Sequence, residues 1–247
     1  MKILAICGSP HQGNTFKTLE MISELFPALE MEILALMNLN LEACRGYYSC
    51  VLKGEEHCPL KDDRDMILGK IRGAEVLILA SPVYSHMVSA PIKNFFDRLS
   101  FLYHRPEFFG KFAMSLVTSS DYDTRPTTAY MNKMLGAFGY SMVPELELQF
   151  NPGRVQEVQL QKNRKLCIAA MNTLIIKISK GEVDTPSLDM LIPFNIFKHV
   201  SRQDKDLMKA DYEYYKDKGD YYYETQIGLA KKIIAHRISN KIISQYD

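Results

Sequence analysis

The segment Gly8-Ser9-Pro10-His11-Gln12-Gly13-Asn14-Thr15 has the residue types and spacing of an anion cradle. It follows a short apolar run, residues 3–7, and opens a helical pattern reaching residue 26, so it reads as a glycine-punctuated turn between a strand and a helix. The first backbone N–H groups of a helix have no intrahelical partner and carry the positive end of its dipole, which stabilises a phosphate without any lysine. Ser9, Asn14 and Thr15 add side-chain donors, and His11 and Gly13 complete the turn. The glycine spacing also fits GxxxxGK[ST], but Asn14 stands where that loop needs a lysine for the β and γ phosphates. The dinucleotide fingerprint GxGxxG fails as well, because Pro10 replaces its second glycine. What remains is a terminal monophosphate, or a loop that binds nothing.

The elements that must position this turn alternate along the chain. Apolar runs at residues 3–7, 31–36, 75–80, 112–118 and 141–148 are separated by helical patterns at 15–26, 63–73, 90–102, 124–139 and 155–180. Such alternation implies βαβ units and a five-stranded, doubly wound parallel sheet covered on both faces. The first three strands, as uninterrupted apolar runs, read as buried on both sides. Ligands of such sheets bind beyond the carboxyl ends of the strands, where neighbouring connections diverge. The loops after strands one, three and four should therefore converge. The second of these loops is Ser81-Pro82-Val83-Tyr84-Ser85-His86-Met87, suited to a flat polar ring, and the third is Thr118-Ser119-Ser120-Asp121-Tyr122, suited to that ring's polar edge. A phosphate nest at one end and aromatic and amide contacts at the other suit a flavin mononucleotide, FMN.

Composition bounds the rest. At 247 residues, 47% of them hydrophobic, the chain can build a substantial core, and a net charge of +1 gives no general attraction for nucleic acid. No signal peptide and no uncharged run of membrane-spanning length is read. Five cysteines, an odd number scattered through the chain, point to a reducing compartment and a cytoplasmic protein.

The loop GSPHQGNT together with SPVYSHMVSAPIKNFFDR, residues 81–98, resembles the NAD(P)H-dependent FMN reductases of flavodoxin-like fold, including the branch related to iron-sulfur flavoproteins. The resemblance spans residues 2–180. It implies bound FMN, NAD(P)H as co-substrate, a homodimer or homotetramer, and reduction of a flavin, quinone or other small acceptor. By position, Ser9, Asn14 and Thr15 would hold the phosphate, and Pro82, Val83, Tyr84, Ser85, His86 and Met87 would contact the isoalloxazine. His11 stands where the family often carries arginine or lysine. No catalytic side chain is assigned, since the cofactor carries the hydride step. The rival function is a flavodoxin-like electron carrier or flavin-binding module without nicotinamide turnover. Asp97 and Arg98 belong to the motif but read as local ion-pairing residues late in a helix.

The segment ACRGYYSCVLKGEEHCPLKDD, residues 43–63, resembles that family's cluster-binding loop, with Tyr47 where a cysteine is usual. Three thiolates leave a standard cluster one ligand short, so no metal is assigned. Free thiols, a zinc site using Cys44, Cys50 and Cys58 with His57, and a redox-active pair stay open.

Past residue 181 the composition shifts, giving a flavodoxin-like domain at 1–180 and a helical, Tyr-rich extension at 181–247. Thr185-Pro186-Ser187 can open a short helix, an apolar segment follows at 190–197, and tyrosines stand at 212, 214, 215, 221, 222 and 223. So much aromatic surface should dock onto the core or a neighbouring subunit. In the last segment lysines and arginines interrupt the apolar stripe, which argues against a membrane-surface helix.

Overall fold

The computed structural model describes residues 1–120, 123–143, 145–150 and 157–245. Its strands are β1 (Lys2–Cys7), β2 (Glu30–Ala35), β3 (Val76–Tyr84), β4 (Met87–Val88), β5 (Phe112–Ser119), β6 (Ser141–Met142) and β7 (Leu146–Gln149). Its α-helices are α1 (Asn14–Leu25), α2 (Ser49–Leu52), α3 (Arg64–Gly73), α4 (Ala90–Arg98), α5 (Phe101–His104), α6 (Arg125–Ala137), α7 (Glu157–Ser179), α8 (Leu188–Gln203), α9 (Lys209–Tyr215) and α10 (Leu229–Ile243). Two compact units form, one from Met1–Ala43, Asp62–Arg98 and Phe108–Val183, the other from Cys44–Lys61, Leu99–Glu107 and Asp184–Asp247.

The first unit holds the sheet, in the order β2-β1-β3-β5-β6, with β7 also parallel to β5 and β4 antiparallel to β3. Ile3, Ala5 and Cys7 of β1, Val76, Ile78 and Ala80 of β3, and Phe112, Met114 and Leu116 of β5 face one side. There they form a core with Leu19 and Ile22 of α1 and Cys167, Met171 and Leu174 of α7. Alternate residues such as Leu4, Ile6, Leu77 and Leu79 are as deeply buried, and α3, α4 and α6 supply Ile71, Phe96 and Leu135 to the buried core. Phe96 meets Tyr130 and Phe138 edge-on at 5.6 and 5.9 Å, tying α4 to the α6 region. Each such buried large apolar side chain contributes about 1.5–3 kcal/mol.

Three expectations need correction. Strand β2 is not buried on both sides: it is the sheet edge, and Glu30 and Glu32 on it are exposed, which blunts the edge with charge. The run 141–148 is not one strand. It divides into β6 and β7, separated by a stretch that contains Pro144, which has no N–H for a ladder and lies outside the described residues. The pattern 90–102 divides as well: backbone bonds from Leu102 to Leu99 and from Tyr103 to Ser100, both 3.0 Å, have three-residue spacing, and α4 and α5 belong to different units.

The second unit unites the cysteine loop, residues 99–107 and the Tyr-rich tail. Helix α8 is 16 residues long rather than short, and α10 packs on it through Ala235, Ser239 and Ile243, which are buried. Phe194 of α8 sits among Tyr215, Tyr221 and Tyr222 with ring centroids 4.9–6.0 Å apart. The buried Arg105 guanidinium donates to the carbonyls of Val51 at 2.8 Å and Cys50 at 2.7 Å, and to the Asp211 carboxylate. The other Asp211 oxygen meets Nδ1 of His104 at 2.8 Å, and that imidazole stacks on Phe197 at 4.1 Å. Burial drives the phenols of Tyr214, Tyr215, Tyr221 and Tyr222 well above their ordinary pKa, so all stay neutral.

Candidate functional site

The turn after β1 begins with a close approach. The Gly8 N–H donates to Ala80 of β3 at 2.8 Å, and a Cβ on Gly8 would lie 2.1 Å from Cγ1 of Ile92 on α4, so only glycine fits. The Ser89 hydroxyl donates to the Gly8 carbonyl at 2.6 Å, while Ser89 N–H donates to Ser81 Oγ at 3.1 Å, joining the first and second loops. Ser81 and Ser89 stand out in the sequence only by their place in the motif; the Ser89–Gly8 bond spans 81 residues and leaves no local signal.

The Ser9 hydroxyl donates to the carbonyl of His11 at 2.7 Å, and the N–H of Gly13 donates to the same carbonyl at 2.8 Å, which curls the turn. Gly13 is the N-cap of α1; no side chain of that cap satisfies the first turn, and no acidic residue lies in it. The imidazole of His11 lies over Gly13, with Nε2 2.6 Å from where a Cβ would stand. Ser9 and Thr15 are buried, and Asn14 and His11 are exposed. An uncapped helix start free of carboxylates fits a phosphate.

The Thr15 hydroxyl lies 2.7 Å from the Thr118 hydroxyl of β5, so the first and third loops meet at the carboxyl end of the sheet as the topology requires. Ser119 is buried in β5, and its carbonyl accepts from Phe150 N–H at 2.8 Å; Ser120 is exposed. Asp121 and Tyr122 lie outside the described residues.

The second loop is mostly strand. β3 continues through Pro82 and Val83 to Tyr84 and turns back as β4, pairing Val83 with Val88 and Tyr84 with Met87. The two turn residues, Ser85 and His86, both have positive φ, 49° and 65°. That is the two-residue hairpin signature, occupied here by side chains where glycine or asparagine is usual, at a cost of order 1 kcal/mol each. The strained turn lies at the mouth of the strands and leaves Tyr84 at 42% and Met87 at 39% exposure, an aromatic and a thioether surface open there.

Asp97 pairs locally with Lys93 at 2.6 Å, as expected. Arg98 does not act locally. Its guanidinium clasps Asp62, 36 residues away, and donates to the Glu42 carbonyl at 2.7 Å, while Asn94 donates to the Leu41 carbonyl at 2.9 Å. Asn40 N–H donates to Asp63 Oδ2 at 2.7 Å. These bonds close the base of the cysteine loop within the first unit. Burial alone would raise the Asp62 carboxyl, but Arg98 and the N–H groups of Glu42 and Arg64 outweigh it and hold the carboxyl below its usual range.

Inside the loop Cys44 is exposed, Cys50 half-buried and Cys58 buried, with Tyr47 at 51% exposure. Among the described residues no three His, Cys, Asp or Glu side chains converge as metal ligands. Three thiolates and a phenol do not make the donor set of a four-iron cluster. No helix among the described residues is long and apolar enough to cross a membrane.

A family model for NADPH-dependent FMN reductase matches residues 1–153. An iron-sulfur flavoprotein of Archaeoglobus fulgidus is 32% identical over 224 residues, covering 89% of this chain and 99% of the relative. Another, of Methanocaldococcus jannaschii, is 41% identical over 103 residues, 40% of this chain and 51% of the relative. Among solved structures, RosB with a bound 8-demethyl-8-formylriboflavin-5'-phosphate intermediate superposes with a TM-score of 0.57 at 13% identity, over 93% of this chain and 92% of that one. An NAD(P)H:quinone oxidoreductase from Methanothermobacter marburgensis gives 0.52 at 19% identity, over 68% and 97%. At such identities the structural likeness shows the fold alone. With the flavodoxin-like strand order, the glycine turn and the family match on one chain, the protein belongs to the NADPH-dependent FMN reductase family, a family of flavin-dependent oxidoreductases.

Proposed function

We propose that this chain binds FMN, takes hydride from NADPH or NADH, and passes the electrons to a flavin, quinone or other small acceptor. The observation that carries the reading is the uncapped, carboxylate-free first turn of α1, joined through Thr15 and Thr118 to β5 and through Ser89 to the β3 loop. Ser9, His11, Gly13, Asn14 and Thr15 would hold the phosphate. Pro82, Val83, Tyr84, Ser85, His86 and Met87 would flank the ring, with Thr118, Ser119 and Ser120 at its polar edge. When bound, FMN supplies the hydride acceptance and return that no side chain here can perform. The protein's part is to orient the ring on a strained, well-anchored hairpin and to leave one face open to small reactants.

The relatives are named iron-sulfur flavoproteins. In this chain Tyr47 leaves the loop with three thiols, one short of a four-iron cluster's ligand set, so the proposed chemistry rests on flavin alone. Anaerobic mixing of the flavin-loaded protein with NADPH and NADH in turn tests the reading. Rapid loss of the oxidised flavin absorption with either is expected. Reduction only by a partner reductase would replace the enzyme with an electron carrier.

A further inference from the structure

Thr15 and Thr118 are 103 residues apart in sequence, and both are buried, at 2% and 4% exposure, where their hydroxyl oxygens approach to 2.7 Å. Two hydroxyls carry two protons, and only one can lie between the oxygens; the other is available to a third group. Thr15 does not use its proton within its own helix, as Thr18 does by donating to the Asn14 carbonyl at 2.7 Å. Among the described residues neither Thr15 nor Thr118 makes a further side-chain hydrogen bond.

The pair has two orientations. If Thr15 donates to Thr118, the lone pairs of Thr15 face whatever sits at the first turn of α1, which repels an anion. If Thr118 donates, the Thr15 proton is released toward that turn and adds a charge-assisted donor beside the backbone N–H groups. Donation into Thr15 also polarises its O–H, strengthening the outward bond.

We propose that Thr118 is a positioning residue for phosphate recognition: its hydroxyl donates to Thr15 Oγ1 and so aims the Thr15 proton at the phosphate. This rests on the reading of the turn as an FMN phosphate site, and it moves Thr118 from the ring's polar edge to the phosphate end of the pocket. The role differs from a structural one in a measurable way. FMN and riboflavin share the ring and differ by the phosphate, so a defect in aiming Thr15 weakens FMN and spares riboflavin.

The test is titration of full-length apoprotein with FMN and with riboflavin, for wild type, Thr118→Val, Thr118→Ser, Thr15→Val and the Thr15→Val/Thr118→Val double variant. Thr118→Val, near-isosteric but without the hydroxyl, is expected to weaken FMN about tenfold, the scale of one charge-assisted hydrogen bond, with riboflavin changed less than about twofold. Thr118→Ser should keep the wild-type preference. In the Thr15→Val background Thr118→Val should add nothing, since Thr118 acts through Thr15. Unchanged FMN affinity in Thr118→Val, or equal weakening of both flavins, overturns the proposal. Wild type that binds FMN no better than riboflavin overturns the phosphate site itself, whatever the variants do. If the valine variant fails to fold, Thr118→Ala set against Thr118→Ser decides on the same two ligands.

Discussion

Gly8 shows what one residue decides. Its absent side chain lets the β1 turn lie on Ile92, and a methyl there would sit 2.1 Å from Cγ1. Gly8→Ala should therefore force the loop off α4, costing roughly 1–3 kcal/mol as an overpacked core position does and lowering FMN affinity as well. A thermal midpoint and FMN affinity equal to wild type would show that the contact relaxes freely. The turn itself was legible in the sequence, because glycine spacing, hydroxyl residues and an adjoining apolar run are all local signals. Ser89 and Thr118 were legible only as members of motifs. Their bonds to Gly8 and Thr15 cross 81 and 103 residues, a range over which no spacing rule operates.

Among the elements, α4 does more than cover the sheet. Asn94 and Arg98 close the base of the cysteine loop, which local pairing rules could not reveal, since the partners Leu41 and Asp62 lie in a loop 53 and 36 residues away. Asp62 and Arg98 are 0% and 2% exposed, so Asp62→Asn leaves a buried guanidinium without its countercharge and should cost roughly 3–5 kcal/mol. The pH dependence follows from the direction of the shift. The Asp62 carboxyl lies below its unfolded value of about 3.9, so its stabilisation is complete above that pH and disappears as pH falls through the lower folded value. Acid unfolding of wild type should therefore show a limb below about pH 4 that Asp62→Asn flattens. Identical acid profiles would remove Asp62 from that role. Elements with strong periodicity, β1, β3, β5 and α1, were readable within a residue or two at most of their ends. The break at 99–100 was not, because the apolar pattern continues across it while the backbone changes unit.

For the whole molecule, the tail was expected to dock its aromatics onto the core or a neighbouring subunit; within the second unit its rings pack around Phe194. Its grouping with the cysteine loop is set by Arg105, whose buried guanidinium is shared between Asp211 and the carbonyls of Cys50 and Val51, a contact no sequence pattern encodes. Removing residues 184–247 deletes Asp211 and leaves Arg105 without that countercharge, so the truncated chain should lose solubility or show faster amide exchange across residues 44–61. Unchanged solubility and exchange would mean that the loop holds itself. Anaerobic reconstitution with iron and sulfide should leave iron near zero per chain in wild type, and Tyr47→Cys should raise it. Stoichiometric iron and acid-labile sulfide in wild type would instead make this a cluster-containing flavoprotein.

We propose above all that an FMN phosphate sits on the turn from Ser9 to Thr15. The most direct test is a flavin titration of the apoprotein with FMN and riboflavin, repeated on Thr15→Asp. Wild type is expected to bind one FMN per chain and to prefer it over riboflavin by at least about tenfold, and the carboxylate in Thr15→Asp, placed beside a phosphate, should abolish that preference. Wild-type protein that takes up no FMN, or Thr15→Asp that binds it as tightly as wild type, would contradict the site.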